Sequence, residues 1–296
     1  MDNSKKVTMA VIAAAGYGTR FLPATKSVPK EMLPMIDTPI IQYIVEEIVS
    51  SGIRNIIIVT RHGNDPIEDH FDSLVQLESY LEERGKFDKL EEIRKSIQLA
   101  NIAFTRQHRD LPYGNAAPLL AAKPFLGESN FCYMYGDDLT LSSKVPITRQ
   151  LVDVFERSDC DAVIAAQKMP KSELSRYANI KFKEGSEEEL DNLIEKPDTG
   201  EEYSDLASFG RYVCSPRIFE HLGTDKRGKD DEIWFPDGID KLAQVGKVLV
   251  KSIDGKWMTT GDPLRFIQTT LEFAMVRDEL KEPLLEYMAE LVKREK

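Results

Sequence analysis

The sequence predicts an α/β protein with a Rossmann-like, mixed but mostly parallel sheet flanked by helices. Three observations carry this. A short apolar run, Val11 to Ala15, stops at the turn Gly16-Tyr17-Gly18. A helical repeat and a second apolar run, Asn55 to Val59, then complete a strand–loop–helix–strand crossover of the kind that builds parallel sheets. Later apolar runs end on Gln107 and on Asp137-Asp138. Open α/β sheets bind their ligands at such strand ends.

The glycine loop comes first. Two glycines one residue apart let the backbone turn sharply and present N–H groups to a polyanion. Ala14 and Ala15 end the strand, Gly16, Gly18 and Thr19 follow in the loop, and these five are the expected nucleotide-binding positions; Arg20, Lys26 and Lys30 come next as cations. Arginine clamps phosphate oxygens in a bidentate fork, whereas lysine acts as a movable point charge. The loop is therefore suited to a triphosphate. A dinucleotide-binding loop is excluded, because Phe21 stands where a third glycine belongs and the second strand ends in Thr60-Arg61-His62 without an acid. A P-loop is excluded as well, since no Gly-Lys-Ser/Thr follows. Pro23, Pro29 and Pro34 prevent a continuous helix here, so the stretch reads as a long basic loop laid over a ligand.

After the loop, Thr38 and Pro39 read as a cap and first-turn pair, with apolar residues at helical spacing from Ile40 to Val49. Ser73 to Gln98 is a strongly charged helical insertion. A third strand runs from Ile102 to Arg106, a short helix from Ala116 to Ala122, and a fourth strand from Phe131 to Tyr135. Ile147 to Arg157 is helical, Ala162 to Gln167 extended, and Tyr177 to Val213 alternates short strands with turns. Asp237 to Gln244 is helical, Val248 to Ile253 is a strand, and a helix or helix pair follows Pro263. One domain over residues 7–262, with an inserted subdomain at about 170–235, and a helical segment at 263–296, is the expected division.

The bulk properties narrow the partners. The chain has 296 residues, 42% hydrophobic and 30% charged, with a net charge of −11. That balance argues against nucleic acid or an acidic membrane surface as partner, but not against a nucleotide held in a local basic pocket. Cys132, Cys160 and Cys214 lack any metal or redox spacing and read as reduced core thiols of a cytoplasmic protein. No apolar run approaches the ~18 residues of a membrane span. His62, His70, His108 and His221 show no metal-binding spacing.

The run Ala14-Ala-Gly-Tyr-Gly-Thr-Arg20, followed by Lys26-Ser-Val-Pro-Lys-Glu-Met-Leu-Pro34, resembles the signature of sugar-1-phosphate nucleotidylyltransferases. It is most similar to the bacterial UTP–glucose-1-phosphate uridylyltransferases, and the likeness extends from about Val7 to the helix after Pro263. The resemblance implies the nucleotide-diphospho-sugar transferase type of fold, UTP and a sugar-1-phosphate as substrates, Mg²⁺ as cofactor, and a homo-oligomer with the C-terminal helices as contact elements. It implies that Arg20 and Lys30 hold the triphosphate, that Gln107 and Gly114 contact the base, and that Asp137 binds the metal. A glutamine offers both donor and acceptor to the imide edge of uracil. Polar strand termini and turn aspartates also arise for purely structural reasons. Glu195-Lys196-Pro197 matches the family's sugar-phosphate motif, where a carboxylate accepts from hydroxyls and a lysine neutralises the 1-phosphate. Ala178 and Gly210 fall at the same expected site.

The chain departs from the family pattern at four places. Thr259 stands where an aspartate metal ligand is usual, with Asp262 and Asp138 the nearby carboxylates that could stand in. Ala178 replaces a glycine, Asn115 a histidine, and Trp234-Phe235-Pro236 a smaller, more polar wall. Two readings stay open at this point. One is an active uridylyltransferase; the other is a nucleotide-sugar-binding regulatory paralogue with weak or no catalysis.

Overall fold

The computed structural model describes residues 5–142, 144–223 and 231–295. Strand β1 (Val7–Ala13) lies inside a nine-stranded sheet, with Ala10, Val11 and Ile12 wholly buried. The loop after it contains only single 3₁₀ turns, at Thr19–Phe21, Ala24–Lys26 and Lys30–Met32, as its prolines dictate. Two short strands, β2 (Pro34–Met35) and β3 (Thr38–Pro39), then pair antiparallel. Thr38 therefore sits opposite Met35 in a ladder instead of capping the helix, and α1 (Ile40–Ser50) opens directly after Pro39.

Strand β4 (Asn55–Thr60) pairs parallel with β1, placing Ile57 opposite Val11. The charged insertion is helical as its pattern predicts: after α2 (Asp65–His70), it forms α3 (Val75–Glu83) and α4 (Phe87–Ile97). Both helices are mostly exposed, anchored through Leu81 and Leu90. Strand β5 (Asn101–Arg106) extends the parallel sheet beyond β4. Helix α5 (Ala117–Leu126) returns the chain to β6 (Asn130–Tyr135), parallel to β1 on its other side. Four parallel strands, β6-β1-β4-β5, thus aim their C-terminal ends at one edge of the molecule.

The second half completes the mixed sheet. Strand β7 (Asp138–Leu141), helix α6 (Ile147–Arg157), strand β8 (Ala162–Lys168) and the one-turn α7 (Lys171–Leu174) follow. The hairpin β9 (Ala178–Phe182) and β10 (Leu190–Glu195) sets Glu195 opposite Ala178. Strand β11 (Leu206–Cys214), buried along its full length, runs antiparallel to β6, β8 and β9 and joins the two halves. Part of the expected subdomain, residues 224–230, lies outside the described residues.

Helix α8 (Phe235–Val245) and strand β12 (Val248–Ser252) lead to β13 (Lys256–Thr259), which pairs with β7 so that Thr259 faces Asp138. Helices α9 (Pro263–Met275) and α10 (Asp278–Glu295) close the chain. One sheet face is covered by α1 and α6 through Ile44, Ile48, Leu151 and Phe155; the other by α5 and α8 through Leu119, Ala122, Ile239 and Leu242. Covering both faces keeps the central strands dry, so the loops at their ends are the elements left for chemistry.

Candidate active site

Two adjoining cavities open at the strand ends. The larger, of about 390 Å³, is lined by Gly16, Gly18, Thr19, Arg20 and Lys30 on one side and by Gln107 and Gly114 on the other. Asp137 and Lys196 lie at its inner end. The smaller, of about 140 Å³, is lined by Ala178, Glu195, Gly210, Asp138 and Thr259. Both share Tyr135 and Asp137. The carboxylate expected to hold a metal therefore stands at the junction of the two chambers.

The phosphate loop is built around Gly18. Its φ of +63° lies in the left-handed region, and a Cβ there would come within 3.2 Å of Lys30 Cβ and Thr25 Cγ2. The Thr25 hydroxyl donates to the Gly18 carbonyl at 2.7 Å, pinning the turn. Ala15 lines the larger cavity, but Ala14 lies buried beneath the loop. The Ala14 N–H donates to the Val59 carbonyl, and its carbonyl accepts from Asn64 Nδ2, both at 2.9 Å. Its backbone groups are thus engaged inside the protein. Lys26 is exposed and does not line the cavity, which leaves Arg20 and Lys30 as the loop's cations at the site.

Lys30 donates to Asp137 Oδ2 at 2.6 Å and lies 3.8 Å from Glu31 Oε1. Burial works against the lysine's charge, but Asp137 and Glu31 together raise its pKa above the ordinary range. Burial likewise pushes against ionisation of Asp137; the charge and hydrogen bond of Lys30, helped by Arg20, hold its carboxyl below the usual value. Burial, added to the neighbouring Asp137 charge, raises Asp138. Glu31 is fully buried with neither carboxylate oxygen hydrogen-bonded, and burial lifts it to about 7 despite Lys30. Nothing in the loop's sequence pattern marks Glu31 as a buried carboxylate; only the fold places it beside Lys30.

The residues around a prospective metal fit Mg²⁺ in one mode. Mg²⁺ is commonly held by one or two carboxylates, with substrate phosphates and water completing an octahedron. Asp137 supplies one such oxygen beside the phosphate loop. Thr259 Oγ1, Asp137 Oδ2 and Arg20 Nη1 surround Gly261, at 3.2, 3.5 and 3.5 Å from where a side chain on that glycine would begin. The two carboxylates that could stand in for an acid at Thr259 are otherwise engaged. Asp138 Oδ2 accepts the Gly210 N–H at 2.9 Å. Asp262 caps α9 through the Arg265 N–H at 3.1 Å and pairs with Arg176 at 2.7 Å. Among the described residues no cluster of three or more His, Cys, Asp or Glu is arranged to hold an ion alone. The donor set therefore suits an ion that arrives with phosphates.

Gly114 is positioned by packing as much as by any ligand. Its φ is +134°, and a Cβ would meet the Ile233 carbonyl oxygen at 2.2 Å. The Ile233 N–H donates to the Tyr113 carbonyl at 2.8 Å, and Asn115 Oδ1 accepts the Phe235 N–H at 2.6 Å. Asn115 thus ties the base loop to the start of α8. Sequence reasoning missed this link, along with Arg61, whose guanidinium lies 4.7 Å above the Tyr17 ring, and Tyr113, which stacks on Tyr17 at 6.3 Å.

The smaller chamber has an aromatic wall. Trp257 stacks on Phe209 at 4.7 Å and meets Tyr177 edge-on at 4.8 Å. An aromatic face beside a carboxylate suits a sugar ring, which has apolar C–H faces and a hydroxyl rim. Glu195 is nearly buried, and burial lifts its carboxyl to about 7, with Asp237 and Glu232 opposing the relief given by Lys196. Lys196 itself has a backbone φ of +48° and stands 3.8 Å from Glu195.

A basic glycine turn and two adjoining chambers that meet at one aspartate suit a class: enzymes that join a nucleotide to a phosphorylated sugar. The nucleotidyl transferase family model matches residues 9–274, and the chain belongs to that family. Among its relatives, the UTP–glucose-1-phosphate uridylyltransferase of Bacillus subtilis strain 168 is 43% identical over 293 residues, covering 98% of this chain and 99% of that protein. A Staphylococcus epidermidis protein of the same name is 43% identical over 289 residues, covering 97% and 99%. A UTP-bound UDP-glucose pyrophosphorylase structure from Acinetobacter baumannii superposes with a TM-score of 0.87 at 30% identity, covering 96% of this chain and 99% of that one. A UDP-glucose pyrophosphorylase solved with UDP-glucose gives 0.80 at 31%, covering 92% and 100%. The fold expected from the sequence is the fold these structures share. Among the described residues no helix is long and apolar enough to cross a membrane.

Proposed function

We propose that this chain transfers UMP from UTP to glucose-1-phosphate, giving UDP-glucose and pyrophosphate. The observation that carries the reading is the pair of chambers joined at Asp137, one lined by phosphate-binding cations and the other by Glu195 and Lys196. Relatives of that activity, matched over nearly their whole length, support it.

A phosphate oxygen of the sugar-1-phosphate attacks the α-phosphorus in line. One O–P bond forms as the α–β bridging P–O bond breaks, and pyrophosphate departs with the bonding pair. The attacking group is already an anion, so no serine, cysteine or histidine need be activated. The barrier lies in bringing two polyanions together, and the residues act by positioning and neutralisation. Arg20 and Lys30 hold the triphosphate, while Gln107 and the Gly114 backbone orient the base. Lys196 draws the attacking phosphate toward the junction, and Glu195 accepts from sugar hydroxyls. Mg²⁺ bound at Asp137 would neutralise charge on the phosphates during transfer. Lys30, which pairs with Asp137 in the structure, would then turn toward the phosphates. A homo-oligomer through α9 and α10 accords with the exposed Leu264, Ile267, Tyr287 and Val292 on those helices, and light scattering would test it.

The test of function is pyrophosphate release from UTP, glucose-1-phosphate and Mg²⁺, run on the natural protein and on Thr259→Asp. Robust turnover by the natural protein is expected. Tight UDP-glucose binding without turnover would replace the enzyme with the regulatory reading. Turnover confined to Thr259→Asp would locate a catalytic loss at that threonine.

A further inference from the structure

The sugar-phosphate lysine does not extend freely. Its ammonium lies 5.4 Å above the Trp234 ring, and Trp234 Nε1 donates to Glu232 Oε2 at 3.1 Å. Glu232 lines the larger cavity alongside Lys196. The segment carrying both residues is fastened to the base loop at three points. These are Ile233 N–H to Tyr113 carbonyl, Ala116 N–H to Ile233 carbonyl at 3.2 Å, and Phe235 N–H to Asn115 Oδ1. A residue larger than glycine at 114 has no room beside this segment.

We propose that Trp234 is a positioning residue. Its indole face, fixed by Glu232 and by the base loop, sets where the Lys196 ammonium stands relative to the bound nucleotide. Left to itself, a lysine side chain samples many rotamers, and Lys196 leaves its strand from a left-handed backbone that aims it without fixing its tip. An aromatic face holds an ammonium without neutralising it, so the charge stays available to an incoming phosphate. The Glu195 carboxylate, 3.8 Å from the same ammonium, would compete with that phosphate; the neutral ring does not. The inference rests on the uridylyltransferase reading only in naming the substrate that Lys196 meets.

Trp234→Ala and Trp234→Phe, with the natural protein as control, test the role. In Trp234→Ala, kcat/KM for glucose-1-phosphate should fall about three- to fivefold, the loss of a cation–π contact at a half-exposed lysine. UDP-glucose affinity by calorimetry should fall by a similar factor. UTP affinity without sugar should stay within about twofold by the same energy scale. Trp234→Phe, which keeps a ring but loses the Nε1 bond, should recover most of the loss. Unchanged kcat/KM in Trp234→Ala, equal losses in both variants, or a parallel loss of UTP affinity would each overturn the positioning role. Absent turnover in the natural protein would strike the function instead, and UDP-glucose calorimetry would still decide the role of Trp234.

Discussion

Arg211 is the largest fully buried side chain among the described residues, and it lies next to Gly210, which lines the smaller chamber. It donates to Glu47 Oε2 from Nη2 at 2.9 Å and from Nε at 3.2 Å. It also donates to the carbonyls of Gly210 at 2.9 Å and Asp138 at 2.7 Å. Glu47 accepts further from the Thr148 N–H at 3.0 Å and hydroxyl at 2.6 Å. Burial disfavours the Glu47 carboxylate, yet Arg211, Thr148 and Thr140 hold its pKa below the ordinary 4.5. Because the folded value lies below the unfolded one, the pair's stability is present above about pH 4.5 and fades as pH falls through the lowered value. Glu47→Ala leaves a buried guanidinium without its counter-ion, which costs about 3–5 kcal/mol. With an unfolding entropy of about 2.1 cal/mol/K per residue, a chain of this size loses about 5–8 °C of Tm. Glu47→Leu combined with Arg211→Met should regain most of that stability, because apolar replacement removes the unpaired charge. UDP-glucose affinity should fall in Glu47→Ala more than UTP affinity does, since Gly210 and Asp138 line the smaller chamber. Thermal unfolding by circular dichroism, with calorimetry of both ligands, reads the two effects. A Tm within about 1 °C of the natural protein would refute the reasoning, given the 3–5 kcal/mol expected for an unpaired buried charge.

Two further outcomes follow from the site. Gly114→Ala should destabilise by about 2–3 kcal/mol, from positive-φ strain and the clash with the Ile233 backbone, and should weaken UTP binding; thermal melts and calorimetry check this. The Glu195 carboxyl, lifted by burial to about 7, should make kcat/KM for glucose-1-phosphate rise as pH passes through about 7, because the ionised form accepts from sugar hydroxyls. Its stability effect has the opposite sign. A raised folded pKa favours the protonated native state, so that contribution is full below the ordinary 4.5 and is lost as pH rises through about 7. Glu195→Gln should make both profiles shallower near pH 7 relative to the natural protein, the remaining slope coming from the other buried carboxyls, Glu31 and Asp138.

The central parallel strands were legible because each is a local apolar run bounded by turn residues, though the first runs Val7–Ala13 and not Val11 to Ala15, and the short strands β2, β3, β7 and β13 carry no such run; α6 begins and ends where its repeat does. The phosphate loop was legible for the same reason: Gly16, Gly18, Arg20 and Lys30 lie within fifteen residues of one another. What remained hidden depends on contacts between distant segments. Glu47 and Arg211 are 164 positions apart, and each alone reads as a surface charge. The reason for glycine at 114 is a backbone more than a hundred residues away in Ile233. Thr38 shows the converse, a local capping signal overridden by a two-residue ladder with Met35.

The metal site proposed at Asp137 would turn on a balance of charge that one threonine shifts. Asp137 already faces Asp138, whose carboxyl is raised by burial and by that neighbour's charge. A third carboxylate at 259, which like Asp137 borders Gly261, would add like-charge repulsion before any ion bound. Thr259 avoids that repulsion and leaves Asp137 balanced by Lys30, with help from Arg20. Mg²⁺ held at Asp137 would compete with Lys30 for that carboxylate, and the Lys30 ammonium already lies beside Gly16, where the triphosphate would rest. Metal and nucleotide would therefore bind together more readily than either alone. Mg²⁺ should tighten UTP binding to the natural protein and do so less in Lys30→Met, where no cation has to move. Calorimetry of UTP with and without Mg²⁺ would measure the difference, and equal enhancement in both proteins would show that Lys30 does not link the two.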